Sequence, residues 1–394
     1  MILGRDTDGL FRGINQGHDL ESQALASRNI QAELSEMASS PQRIFPQDDV
    51  ERPGNVTNLL TPVVSMEKLF PHFRTLIETS AYSSAKDLLR EFSPVFTDVD
   101  GNFVEQFQTG GFNPRLWELY LDLMLREQGF HRIKEFDRPD FCVIKHDISV
   151  GIEAVTINPS DKHPMPDGKS PGELREILEE FMPMRFSGPL NTKLGKRYWE
   201  LPHMSGVPIV IAIQNFFTDQ SMMWSNSSLI RYLYGMHTEG FQHEDGTADA
   251  TCRAVNEHVW GEKTLISGFF NLPDAENISA VIANPCATLS QFNRMGKEAG
   301  LGDPRVRMVR IGNQWDPNPK AAKPIEFEYE VSADTPRESW SGGLCVFMNP
   351  ECKEPVATWA VRGWGNSYNE RGAAHTLLAG GTCFRIADHY SATN

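Results

Sequence analysis

The sequence predicts an α/β protein, a mixed β-sheet flanked by helices, on three observations. Residues 96–315 alternate helical and strand patterning, as layered α/β architectures require. "VPIVIAIQNF", residues 207–216, is an uninterrupted apolar run rich in β-branched residues, the pattern of a central strand covered on both faces. "FNPRLWELYLDLMLREQGF", residues 112–130, reads as a helix that is apolar on most sides and therefore largely buried.

Taken in order, residues 1–95 are polar and mixed. A helix is expected in "HDLESQALASRNIQAELSEMA", then a proline-containing link, "SSPQRIFPQDDVERPGN", and a second helix near "SAKDLLREF". In the apolar helix, Asn113 offers an N-cap, Pro114 the first helical position and Gly129 the stop. Its polar stripe, Arg115, Glu118, Asp122 and Arg126, is spaced by three or four and lies on one face. Three short strands follow, "HRIKEF", "DFCVIKH" and "SVGIEAVTI", with His146 and Asp147 turning between the last two. Alternation puts Gly151, Glu153 and Val155 on one face of the third strand and Val150, Ile152 and Ala154 on the other. "SPGELREILEEF" opens a helix with Ser170 as N-cap, Pro171 in first position and Glu173 completing a capping box. A basic helical stretch, "LNTKLGKRYW", carries Lys193, Lys196 and Arg197 ahead of the central strand. "SLIRYLYG" (helix), "ISAVIAN" and "RVRMVRIG" (strands) continue the pattern. Beyond it, "IEFEYEV" alternates and "GGLCVFM" is apolar, so a β-rich extension is expected. The organisation is a mostly helical and linker region (1–95), an α/β core (96–315) and a β-rich C-terminal extension (316–394).

Composition narrows the class. At 394 residues, with 40% hydrophobic and 23% charged content, the chain is typical of a globular protein. No apolar run approaches the roughly 18 residues of a membrane span, and "MILGRDTDGLFRGINQGHDLE" has no signal-peptide apolar segment. The six cysteines (142, 252, 286, 345, 352 and 383) show no paired spacing and read as reduced thiols, so a cytoplasmic location is expected. A net charge of −15 argues against a protein that coats nucleic acid through a broad basic surface, but leaves room for a local basic groove.

The stretch "RPDFCVIKHDISVGIEAVT", residues 138–156, then poses a question. Each of its two apolar runs carries one acid, Asp140 and Glu153, and burying an unpaired carboxylate costs several kcal/mol. Taken singly, each has an ordinary reading. Glu153 could pair with Arg138 or a lysine, Asp140 after Pro139 could be turn chemistry, and Glu118 could belong to a solvated seam of ion pairs. Together, the order helix, three strands, helix, central strand, with acids at Glu118, Asp140 and Glu153, resembles the PD-(D/E)XK nuclease superfamily, the restriction-endonuclease-like fold. "WELYL" is similar to that family's first-helix glutamate, "RPDF" to its PD and "IEAV" to its (D/E)XK, over roughly residues 112–215. More narrowly, "RPDF", "IEAVT", "KRYWELP" and "SMMWSNSSLIRYLYG" resemble an uncharacterised bacterial group with this core.

The resemblance implies a metal-dependent phosphodiesterase acting on DNA sooner than RNA, in bacterial defence or repair, and it leaves room for a homodimer. It implies Mg²⁺ (or Mn²⁺) held by Asp140, Glu153 and Glu118, a hard cation that one or two carboxylates can anchor. The chain departs from the family pattern at Val155, where the lysine two residues after the glutamate should stand. Lys193 on the neighbouring helix is the candidate replacement, with Lys196 behind it; Lys145 and Lys162 are less well placed. Without a lysine the alternative is a catalytically inactive nuclease-like module that binds nucleic acid or a protein partner.

Other constellations are weaker. His237, His243, Cys252 and His258 match no standard zinc spacing and read as surface-loop residues. Trp224, Tyr232 and Tyr234 could stack bases, but aromatic residues at helical spacing are more often core.

Overall fold

The structure, a computed structural model, describes residues 2–7, 11–15, 22–46, 57–96, 101–161, 164–166, 168, 170–218, 221, 225–242, 248–314, 325–335, 338–356, 376–378 and 389–392. β1 (Ile2–Arg5) and β2 (Phe11–Asn15) form an antiparallel pair ahead of α1 (Gln23–Ser39). Helices α2 (Pro71–Glu78), α3 (Ser83–Phe92), α4 (Phe103–Gln108) and α5 (Phe112–Glu127) lead into β3 (His131–Ile133), β4 (Phe141–Lys145) and β5 (Ile148–Ile157). Next, α6 (Pro171–Glu176) passes through one π turn, Ile177–Phe181, into α7 (Met182–Leu194), and β6 (Ile209–Asn215) follows. After α8 (Ser225–Tyr234) come two hairpins, β7 (Met236–Gln242) with β8 (Ala248–Ala254), and β9 (Glu257–Trp260) with β10 (Lys263–Ile266). The remaining elements are β11 (Ala280–Ala283), α9 (Leu289–Glu298), β12 (Val306–Gln314), β13 (Ile325–Glu330), β14 (Cys345–Met348), β15 (Thr376–Leu378) and β16 (His389–Ala392).

Six strands, in the order β3-β4-β5-β6-β11-β14, build a mixed sheet that β15 extends at its β14 edge. The β5–β6 and β6–β11 pairs are parallel and the others antiparallel. A parallel pair needs a long crossover, which α6 and α7 supply between β5 and β6. The central strand shows why its sequence is apolar throughout: Val210 and Ala212 enter one core, Ile209, Ile211 and Ile213 the other. On the first face lie Trp117, Leu121 and Met124 of α5 with Phe73, Leu89 and Phe292 of the neighbouring helices. The Trp117 indole N–H reaches across to the Ala212 carbonyl at 3.0 Å. On the second face lie Phe186 and Leu190 of α7 and Leu229 and Tyr232 of α8. This is an α/β protein with a mixed sheet between helical layers.

Local signals in the sequence are realised with few changes. Ser170 and Glu173 form the reciprocal capping box, and His146 and Asp147 both adopt positive φ in the β4–β5 turn. Asn113 differs: the helix begins at Phe112 with Gly111 as cap, and the Asn113 side chain turns to Asn158 instead. The helix through 171–194 is continuous despite Pro183, Gly188 and Pro189. Pro183 has no N–H to offer the Glu179 carbonyl one turn back, and the His258 Nδ1 contacts that carbonyl at 3.0 Å.

The expected division at residue 95 does not interrupt the packing. Leu59, Leu76 and Leu89 share one core with Trp117 and Ile152, and α3 closes on α9. Gly296 permits that approach, since a Cβ there would lie 2.3 Å from the Ser84 carbonyl oxygen. The division at 315 is also crossed. β12, expected as part of the core, pairs with β13 and β16 in a separate sheet. β14, expected in the extension, joins the main sheet beside β11. The reason is side-chain polarity: "CVFM" can be buried on both faces, whereas the alternating acids of β13 need a solvated one.

Candidate functional site

Asp140 immediately precedes β4 and lies opposite Glu153 of β5, because Phe141 pairs with Ile152 in the antiparallel register. The two acids are interlocked through the backbone. The Asp140 amide donates to Glu153 Oε2 at 3.2 Å, and Asp140 Oδ2 accepts from the Ala154 amide at 2.8 Å. Glu153 occupies a position on the α7 face of β5 where its neighbours are apolar, and its side chain is only 5% exposed. Its charge is met by the Lys193 ammonium from the last turn of α7, in direct contact with Oε1. The Tyr198 side chain lines the same cavity beside Glu153.

Asp140, Glu153, Lys193, Lys196, Tyr198 and Arg138 line one cavity of about 380 Å³. Within it Asp140 is the perturbed group. Burial, then the nearby Glu153 and Glu118 carboxylates, push its pKa up from 3.8 to about 7, against the Ala154 amide and the Lys193 charge, which favour the ionised form. Tyr198 is held well above the ordinary phenol range, first by burial and then by the nearby Glu153 carboxylate.

Tyr198 enters the cavity from an unusual backbone. Arg197 adopts φ 52° and ψ 48°, a left-handed conformation that costs a side-chain-bearing residue on the order of 1 kcal/mol. Its guanidinium is tied to Glu200 at 2.7 Å and to Asp274 at 2.5 Å. No pattern in a single sequence marks Tyr198: it follows the basic stretch as one aromatic among several.

The structure therefore brings Asp140, Glu153 and Lys193 together, with Lys196 beside them. Glu118 is placed differently. Its Oε2 accepts from Arg115 at 2.6 Å, and the residue is absent from the cavity lining, although its charge is felt at Asp140. Arg115–Glu118 and Asp122–Arg126, the latter at 2.6 Å, form the ion-paired seam that the spacing allowed. Among the described residues no group of three His, Cys, Asp or Glu side chains is arranged to hold a metal ion. Arg138 is not the partner of Glu153, and its side chain is largely exposed. Val155, where the family's lysine would stand, packs against the apolar core of the α7 face. Lys145 instead donates to the Gln128 carbonyl at 2.6 Å, and Lys162 lies outside the described residues.

Of the weaker constellations, His243, Trp224 and Cys383 also lie outside the described residues. His258, read from sequence as a surface residue, is fully buried, and burial lowers its pKa. Tyr232 is core, and Tyr234 gives its hydroxyl to the Met348 carbonyl at 2.8 Å. The five described cysteines are free thiols. No helix among the described residues is long and apolar enough to cross a membrane.

With this geometry in hand, the chain was compared with family models, curated proteins and solved structures. None of the three comparisons returns a match.

Proposed function

We propose that the protein is a metal-dependent phosphodiesterase acting on nucleic acid, DNA before RNA, built on a restriction-endonuclease-like core of the PD-(D/E)XK kind. One observation carries this reading: two carboxylates on adjacent strands and a lysine from the following helix line a single cavity. The donor set suits a hard cation. Magnesium takes oxygen ligands and keeps several waters, so a pair of carboxylates is sufficient to anchor it, and burial together with the neighbouring Glu153 and Glu118 carboxylates raises Asp140, a penalty that a bound cation would relieve. Asp140 and Glu153 would hold the ion, which when bound supplies charge neutralisation at the phosphate and a more acidic water.

The protein's own groups do the rest. Lys193 and Lys196 present ammonium groups to the scissile phosphate, where preorganised positive charge stabilises the transition state. The Asp140 amide fixes the orientation of the Glu153 carboxylate, and the Ala154 amide fixes that of Asp140. Lys193 thereby takes the place that Val155 vacates.

The test is cleavage of linear and circular DNA and of RNA by the purified full chain, with and without Mg²⁺ or Mn²⁺, beside Asp140→Ala. We expect metal-dependent cleavage by the wild type and none by the variant. Cleavage that persists in Asp140→Ala, or its absence with every substrate and both metals, overturns the proposal. The second reading, a noncatalytic nucleic-acid-binding or protein-binding module, draws on the direct Lys193–Glu153 ion pair, which satisfies Glu153 without any metal. It predicts binding without cleavage.

A further inference from the structure

The cavity of Asp140 and Glu153 has an aromatic rim. Phe136 stands in the loop between β3 and β4, directly ahead of Asp137 and Arg138, which line that cavity. Its ring lies flat on the His203 imidazole, with centroids 3.9 Å apart and 4° between the planes. His203 belongs to the turn Pro202–Met204, two residues beyond Leu201, another lining residue. The imidazole is held in place, because its Nε2 meets the Arg138 carbonyl at 2.7 Å. Phenylalanine is among the residues most often buried, yet Phe136 stays 39% exposed. His203 covers one face of the ring, so what solvent reaches lies on the edge and the opposite face. A flat ring backed by a second ring and open on its far side is a platform on which a third can stack.

Charge selects the form of nucleic acid that would use it. The chain carries a net −15. Of the cations lining the cavity, Lys193 is already paired with Glu153, and Arg138 lies 4.0 Å from Asp137, so Lys196 and Arg138 remain to meet phosphates. A duplex presents chiefly its phosphates, and affinity for it grows with the number neutralised. Two cations on an acidic protein neutralise few. A single strand also presents base faces, and stacking on an aromatic side chain adds affinity that the protein's net charge does not set. Within a duplex those faces are covered by the neighbouring pairs.

We infer that the nucleic acid bound at this site is single-stranded, with one unpaired base stacked on the open face of Phe136 and the flanking phosphates met by Arg138 and Lys196. The inference rests on the phosphodiesterase reading for its substrate, and it adds the strandedness and the residue that selects it.

The experiment is fluorescence anisotropy of the full chain in EDTA, which keeps the strands intact. Three labelled probes of about 20 nucleotides are compared: oligothymidylate, the same phosphate chain with an abasic tetrahydrofuran unit at every position, and a blunt duplex. The first two carry equal charge, so the ratio of their affinities reads the base contact. The wild type should bind the thymidylate at least about fivefold more tightly than the abasic strand, the lower end of what one stacked base contributes, and more tightly than the duplex. Phe136→Ala should bring that ratio close to one while leaving abasic binding where it was, and Phe136→Trp should preserve the ratio. A Phe136 that only packs the loop would weaken both strands alike. Absence of saturable thymidylate binding overturns the inference, as does equal binding of the abasic strand, a ratio that survives Phe136→Ala, or a duplex bound as tightly as the thymidylate. Cleavage in Mg²⁺ is scored separately. Cleavage without base preference removes the stacking site and spares the phosphodiesterase, whereas base preference without cleavage removes the phosphodiesterase and leaves the single-strand site.

Discussion

Removing the Asp140 charge should stabilise the metal-free protein, and the amount should depend on pH in a defined window. The carboxyl's pKa rises from 3.8 to about 7 on folding. A carboxyl whose folded pKa lies above its unfolded one folds more readily when protonated. Its penalty is therefore absent below pH 3.8, grows as pH rises towards 7 and is constant above that. About three pKa units at roughly 1.4 kcal/mol each give a full penalty on the order of 4 kcal/mol. Asp140→Asn deletes the charge while keeping an oxygen to accept from the Ala154 amide. Urea unfolding of wild type and variant in EDTA, from pH 4 to pH 8, measures the difference directly. We expect near-equality at pH 4 and a variant more stable by several kcal/mol at pH 8. A difference that stays flat across that range, or a variant less stable at pH 8, would refute the argument that crowded, buried negative charge sets the Asp140 pKa.

Millimolar Mg²⁺ should raise the melting temperature of the wild type at pH 8 and leave Asp140→Asn where it was, since a ligand that binds only the folded state stabilises by mass action; equal shifts in both would place the ion elsewhere. Lys193→Met should lower stability by about 2–4 kcal/mol, because it leaves the buried Glu153 carboxylate unpaired, and should abolish cleavage. Lys196→Met should fold normally by the same denaturant assay, and similar losses in the two variants would contradict the assigned pairing. Trp117→Phe removes the hydrogen bond to the Ala212 carbonyl and should cost about 1–3 kcal/mol in urea unfolding, with cleavage retained. Arg294→Met should cost about 1–3 kcal/mol in the same assay, because the Glu338 carboxylate, 4% exposed, loses two bonds from Arg294 but keeps the Arg310 guanidinium at 3.1 Å.

How much could be read from the amino acids depended on the range of the interaction. The capping box of Ser170 and Glu173, the His146–Asp147 turn and the double-faced apolar run of β6 are encoded within a few residues, and each was legible. Lys193 could be named only through the resemblance, which allows the missing lysine to come from the neighbouring helix; that α7 crosses the sheet face Glu153 occupies is a structural fact. Long-range features were hidden. Pro183 looks like a helix breaker until His258, some 75 residues later in the sequence, meets the carbonyl it frees. Glu118 was expected as a third ligand beside the other acids, but it pairs with Arg115, one turn earlier on its own helix, and is not among the residues lining the cavity, although its charge acts on Asp140. Nothing local says that "CVFM" should pair with β11 while "RVRMVRIG" pairs with "IEFEYE". That choice depends on which surfaces remain uncovered once the core has formed.

The late arrival of β14 has a consequence for synthesis. When β11 leaves the ribosome it can pair with β6 on one side, but its other edge waits for Cys345–Met348, about 60 residues further on. At roughly 5–20 residues per second, that edge stays bare for about 3–12 seconds in every nascent chain. Bare apolar edges recruit strands from other molecules, so crowded polysomes and slow codons between β11 and β14 should favour aggregation of unfinished chains, and a chaperone that shields the edge should raise the yield of soluble product.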